Sequence, residues 1–303
     1  LSARRRSSNV NTPAKIDGFR PVHPARTTAA HMANPILANH AHVFPADVNP
    51  DATIDRLLQL LDACGIAQAI CFSPFATQVQ GYPVPPNRWL ARELRGRDRL
   101  YGFGTIDLRR ADIKDQVREV ADLGFRGIKL HPNTQKFDIL GEAALQVYAA
   151  AEEAGLFLTF HSGVHHYRLD HYRVLKFDEV AYNFPRLRMS LEHVGGYHFF
   201  NEALAVIFNN IPFPPIPGQR GRVYGGLTSV FTPHYVRFWY LPKERLLEAI
   251  EQVGADHLIF GLDFPYNLEE NTMTALRTIN EILPNEADRD LVLGGNLRRE
   301  LSL

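Results

Sequence analysis

Cysteine is scarce in this 303-residue chain, with Cys64 and Cys71 its only two. Two thiols cannot build the disulfide framework of a small secreted domain. Both are expected to be reduced and buried, as in a cytoplasmic protein. Neither sign of charge is in excess, because thirty-three lysines and arginines balance thirty-three aspartates and glutamates. Zero net charge leaves no basic field for a general nucleic-acid binder or for adhesion to an anionic membrane. No apolar run reaches the roughly 18 residues that a membrane-spanning helix requires. There is no internal repeat, and no GxGxxG follows the first apolar run. The dinucleotide-binding version of an open α/β sheet therefore loses its best sequence support. What remains is an ordinary globular composition, with a small molecule as the expected partner and a homo-oligomer allowed.

Residues 1–31 differ from the rest. Arg4, Arg5, Arg6, Lys15, Arg20 and Arg26 face one acid, Asp17, and apolar residues are few. Such a segment cannot bury enough surface to offset its ordering entropy. It reads as a leader or tag-like extension ahead of Met32, poorly ordered by itself, with residues 32–303 forming one domain.

From Pro35 onward, eight strand-length apolar runs alternate with helical patterns. The runs are Ile36–His42, Ala67–Phe72, Leu100–Ile106, Phe125–His131, Leu156–His161, Leu187–His193, Arg222–Thr228 and His257–Asp263. Continuous aliphatic and aromatic content suits strands covered on both faces. Asp51–Cys64 places Ile54, Leu57, Leu58 and Leu61 at helical spacing and is followed by Gly65. Gly141–Glu153, before Gly155, and Lys243–Val253, between Pro242 and Gly254, read as further helices. Eight strand–helix units predict a parallel sheet closed into a (β/α)8, or TIM, barrel. The Pro-rich segment Ile211 to Gly218 precedes the seventh run and is expected at the barrel end away from the site.

Thirteen histidines are present, and their distribution carries the functional reading. His40 and His42 close the first run, His131 the fourth, His161 the fifth and His193 the sixth, while Asp263 closes the eighth. In a parallel barrel the C-terminal strand ends form the active face. Residues i and i+2 share a strand face, so His40 with His42, and Lys129 with His131, can both point inward. A lone histidine at a strand end is more often a hydrogen-bonded structural residue. Imidazoles and a carboxylate collected on one rim are the donor set of a catalytic divalent metal with an open position for water.

These segments resemble the amidohydrolase superfamily, and most closely its amidohydrolase-2 branch of metal-dependent barrel enzymes. The resemblance rests on Asn39-His40-Ala41-His42-Val43-Phe44-Pro45, Gly127-Ile128-Lys129-Leu130-His131-Pro132, Phe160-His161-Ser162-Gly163, Glu192-His193-Val194-Gly195-Gly196 and Gly261-Leu262-Asp263-Phe264-Pro265-Tyr266. The terminal Leu293-Gly294-Gly295-Asn296-Leu297-Arg298-Arg299 is also similar to that branch. The resemblance implies that His40, His42, His161 and Asp263 hold one metal ion, zinc first, with manganese and iron as alternatives. It implies that Asp263 is also the general base and that His193 holds or activates the water and steadies the oxyanion. Lys129 sits where binuclear relatives carry a bridging carboxylated lysine. A mononuclear site is expected, with Lys129 and His131 as pocket residues.

The loops following the strands supply further candidates. Arg168, Tyr235 and Arg237, among aromatics, suit a small carboxylate-bearing substrate. The implied reaction is metal-dependent hydrolysis of a small amide, lactone or ester by a metal-bound hydroxide. The alternative within the same branch is non-oxidative decarboxylation of an aromatic or enoic acid.

Overall fold

The structure, a computed structural model, describes residues 34–214, 219–233 and 237–303. The expectation for residues 1–31 lies outside these, as do Tyr235 and residues 215–218 of the Pro-rich segment. Eight strands occur where the apolar runs predict them: β1 (Leu37–His42), β2 (Gln68–Phe72), β3 (Leu100–Thr105), β4 (Gly127–Leu130), β5 (Phe157–His161), β6 (Met189–Glu192), β7 (Val223–Leu227) and β8 (Leu258–Phe264). Each pairs in parallel with its sequence neighbours, and β8 pairs back to β1, so the barrel is closed in the order β1 to β8. Nearly every strand residue is buried, which explains why the runs are continuous rather than alternating.

The helices cover the outside. The first predicted helix forms over Ile54–Ala63, and Thr53 caps it by accepting a hydrogen bond from the Arg56 amide. Its buried face is Ile54, Leu57, Leu60 and Leu61, so Leu60 replaces Leu58 in the expected stripe. Helices Glu142–Glu153 and Lys243–Val253 also form. Inside the barrel, Phe72, Phe103, Phe157 and Tyr224 run as a chain of rings with centroids 5.9–6.2 Å apart. Leu37, Ile70 and Ile259 join this interior cluster, as do Leu297 and Leu301 from the terminal helix Asn296–Leu301. Phe72 is also 5.0 Å from the His40 ring, so the apolar plug ends directly against the site. No helix among the described residues is long and apolar enough to cross a membrane.

Candidate active site

The site is built at the C-terminal ends of the strands, partly by breaking strand regularity. Along β1 the pairing with β2 slips between Ala38 and Ala41, and the pairing with β8 slips between Asn39 and Ala41. At these irregularities His40 has φ 67° and Asp263 has φ 59°. His193 has φ 65°, just beyond β6. Left-handed backbone at non-glycine residues costs about 1–3 kcal/mol each and persists where surrounding packing enforces it. Here it re-aims three chemistry-bearing side chains.

His40, His42 and Asp263 converge, with one ligand atom from each lying within 4.8 Å of the others. His40 Nε2 is 3.1 Å from His42 Nε2 and 3.3 Å from Asp263 Oδ1. His42 Nε2 is 3.7 Å from the same oxygen. His40 Nδ1 lies 2.8 Å from Glu192 Oε2 and donates to it. A neutral His40 therefore presents a bare Nε2 lone pair toward a carboxylate oxygen. The Ser229 hydroxyl, 2.6 Å away, donates to Asp263 Oδ2. Asn267 Nδ2 donates to that serine's oxygen at 2.8 Å.

A second pair lies beside this group. His161 Nε2 is 2.9 Å from Gly163 O, and His193 Nδ1 is 2.7 Å from Thr228 O. A carbonyl only accepts, so each of these nitrogens carries its ring's hydrogen. His161 Nδ1 and His193 Nε2 are then opposed lone pairs, 3.1 Å apart. Two acceptors at that separation repel unless a cation or a proton sits near them. The donor chemistry thus fits a divalent metal, with His40, His42 and Asp263 gathered and His161 and His193 presenting acceptors beside them.

Burial dominates the protonation states. It holds His40, His42, His131 and His161 well below their ordinary value, with neighbouring charges acting in the same direction. His193 is pushed down to about 3 for the same reason. Burial raises Asp263 to about 6, against the Ser229 hydrogen bond and the Lys129 charge. Lys129 is lowered to about 8 by burial, against Glu192 and Asp263.

Above the donors lies a cavity of about 330 Å³, lined by His40, His42, His131, His161, His193 and Asp263 with Phe75, Gln78, Thr134, His165, Phe238, Trp239 and Tyr266. His131 stacks on His161 with centroids 3.9 Å apart and planes 10° apart. Its Nδ1 accepts from the Thr134 amide, leaving Nε2 to carry the hydrogen. Trp239 stacks on His193 at 4.0 Å and donates from Nε1 to Val164 O.

The other sequence candidates fall differently. Lys129 is fully buried with Nζ 3.3 Å from His40 Nε2, and it is not among the cavity-lining residues. Arg168 and Arg237 are exposed and do not line the cavity either. Each belongs to a loop whose direction no strand pattern specifies. Sequence reasoning gave no role to Glu192 or Ser229. Glu192 did carry a signal, as a lone acid inside an apolar run predicted to be covered on both faces.

A closed parallel barrel with an imidazole–carboxylate cluster at its C-terminal mouth defines a β/α-barrel enzyme of the metal-site type. The amidohydrolase family model (Amidohydro_2) matches residues 39–302, and the chain belongs to that family. No curated protein matches the chain. Among solved structures, 2,6-dihydroxybenzoate decarboxylase from Rhizobium is similar with a TM-score of 0.65 and 18% identity, covering 88% of this chain and 98% of that one. A proposed 2-pyrone-4,6-dicarboxylic acid hydrolase from Pseudomonas putida has a TM-score of 0.63 and 20% identity over 88% and 97% of the two chains. A dihydroxybenzoic acid decarboxylase from Polaromonas, with bound manganese and an inhibitor, has a TM-score of 0.63 and 16% identity over 89% and 97%. The solved structures similar to this chain thus include both decarboxylases and a proposed hydrolase.

Proposed function

We propose that the protein is a metal-dependent hydrolase of a small, single-ring lactone, amide or ester. The observation that carries this reading is the convergence of His40 Nε2, His42 Nε2 and Asp263 Oδ1 at the floor of a ring-sized cavity. His40, His42 and Asp263 would hold the ion, with His161 beside them. Zinc is the first candidate, and one ion per chain is expected. When bound, such an ion polarises a carbonyl and acidifies water.

The remaining chemistry belongs to the chain. Asp263, steadied by Ser229, accepts the proton of the attacking water and passes it to the leaving group. His193 spends its hydrogen on Thr228 O, so its Nε2 faces the site as a proton acceptor rather than an oxyanion donor. The donor for the developing oxyanion is His131, whose Nε2 carries hydrogen beside the cavity. Phe75, Phe238, Trp239 and Tyr266 enclose a planar substrate. With Arg168 and Arg237 outside the lining, a substrate carboxylate would face imidazoles rather than a guanidinium. Cys64 and Cys71 are both free and buried, which supports the cytoplasm as the working compartment.

The second reading, decarboxylation, is favoured by the dihydroxybenzoate decarboxylases among the structural neighbours. A panel of lactones, amides and hydroxybenzoates, assayed for product and evolved CO₂ with and without chelator, separates the two. Chelator-sensitive hydrolysis without CO₂ is expected. Chelator-sensitive CO₂ release from a hydroxybenzoate selects the second reading.

A further inference from the structure

Glu192 is a buried acid that no part of the proposed reaction uses. It lies at the end of β6 with no exposed surface. Four donors from three segments surround its carboxylate. Asn39 Nδ2 and the Ser190 hydroxyl donate to Oε1 at 3.0 and 2.7 Å. His40 Nδ1 and the Thr228 hydroxyl donate to Oε2 at 2.8 and 2.6 Å. A buried carboxylate is strongly disfavoured unless its oxygens are paired, and here each oxygen receives two hydrogens. Room for it is made by Gly226 on β7, where an added Cβ would lie 2.5 Å from the Glu192 carboxyl carbon. A purely structural acid would have been cheaper to replace with an apolar side chain.

The contact that gives this arrangement a purpose is the one to His40. That ring has two nitrogens, and only Nε2 faces His42 and Asp263. Unless Nδ1 holds the hydrogen, Nε2 cannot offer a lone pair. The Lys129 ammonium, 3.3 Å from the same Nε2, reinforces this polarity by donating toward it. We propose that Glu192 is a positioning residue that fixes His40 in its Nδ1–H tautomer, so that the Nε2 lone pair is preset to take a divalent cation. This inference rests on the metal reading of the site, and its Nδ1 carboxylate contact is the arrangement that orients and strengthens imidazole ligands generally. Thr228 ties the two halves together, because its hydroxyl braces Glu192 while its carbonyl sets the tautomer of His193.

Two measurements test it. The first is a zinc titration against a competing chelator on metal-free wild-type and Glu192→Gln proteins, with Tm recorded for both. The expected result is a zinc Kd weakened by roughly 10–100-fold in a variant that still melts cooperatively. An unchanged Kd overturns the proposal, whatever happens to Tm, since a merely structural acid would shift Tm alone. The second is the ¹⁵N spectrum of metal-free wild-type protein, with the His40 signals identified by their loss in His40→Asn. Pyrrole-type Nδ1 and pyridine-type Nε2 are expected, and the reverse assignment overturns the proposal even if Glu192→Gln fails to fold. Wild-type protein that takes up no zinc contradicts the metal reading, while the tautomer measurement still decides the role of Glu192.

Discussion

Asp263 concentrates the argument at the residue scale. Its left-handed backbone, its burial and its contacts to both β1 histidines place one oxygen among acceptors and the other on Ser229. Asp263→Asn preserves shape and the Ser229 contact but removes the charge and the base. The expected outcome is a fold unchanged by circular dichroism with kcat reduced by about 10²-fold or more. Near-normal turnover would remove Asp263 from the mechanism. The histidines were legible in the sequence because strand ends are visible as the ends of apolar runs. The tautomers were not, because they depend on which carbonyl or carboxylate a ring nitrogen meets, as His193 meets Thr228 O and His40 meets Glu192. Arg168 and Arg237 mark the opposite limit: their charge suggested anion binding, but loop geometry leaves both exposed.

At the scale of elements, the eight strands were readable because both faces are covered, and the three proposed helices because their apolar spacing ends at glycine. What periodicity could not supply is the pair of register slips that turn His40 and Asp263 into the site. A regular β1 would satisfy the same alternation of His40 and His42, so the bulge leaves no trace in the pattern. Close packing of strands also makes a prediction. Gly127 opens β4, and a Cβ there would lie 2.3 Å from Phe157 O on β5 and 2.8 Å from the Phe103 ring. Backbone oxygen cannot move aside as a side chain can. Gly127→Ala is expected to destabilise the barrel by about 1–3 kcal/mol, measured by urea unfolding. Thr53→Ala removes the cap of helix Ile54–Ala63 and is expected to cost about 1 kcal/mol, with catalysis untouched.

The whole molecule should register its buried histidines in its response to pH. In metal-free protein, His40, His42, His131, His161 and His193 have folded values depressed below 6.5, so the unfolded chain binds more protons as pH falls. Their stabilisation is fully present above about 6.5 and is lost on acidification below it. Asp263, raised to about 6, and Glu192, also raised by burial, act in the opposite direction as pH falls, but they are outnumbered by the depressed histidines, His165 among them. The expected outcome is a Tm that drops steadily from pH 7 to pH 5 in the presence of chelator. A Tm flat over that range would show that these imidazoles are not held neutral. The central claim is that the two histidines of β1 and the aspartate of β8 hold a cation at the barrel mouth. Elemental analysis of purified wild-type, His40→Ala and His42→Ala proteins tests it most directly. About one divalent metal per wild-type chain, lost in both variants, is the predicted result; metal absent from wild type, or retained in both variants, contradicts it.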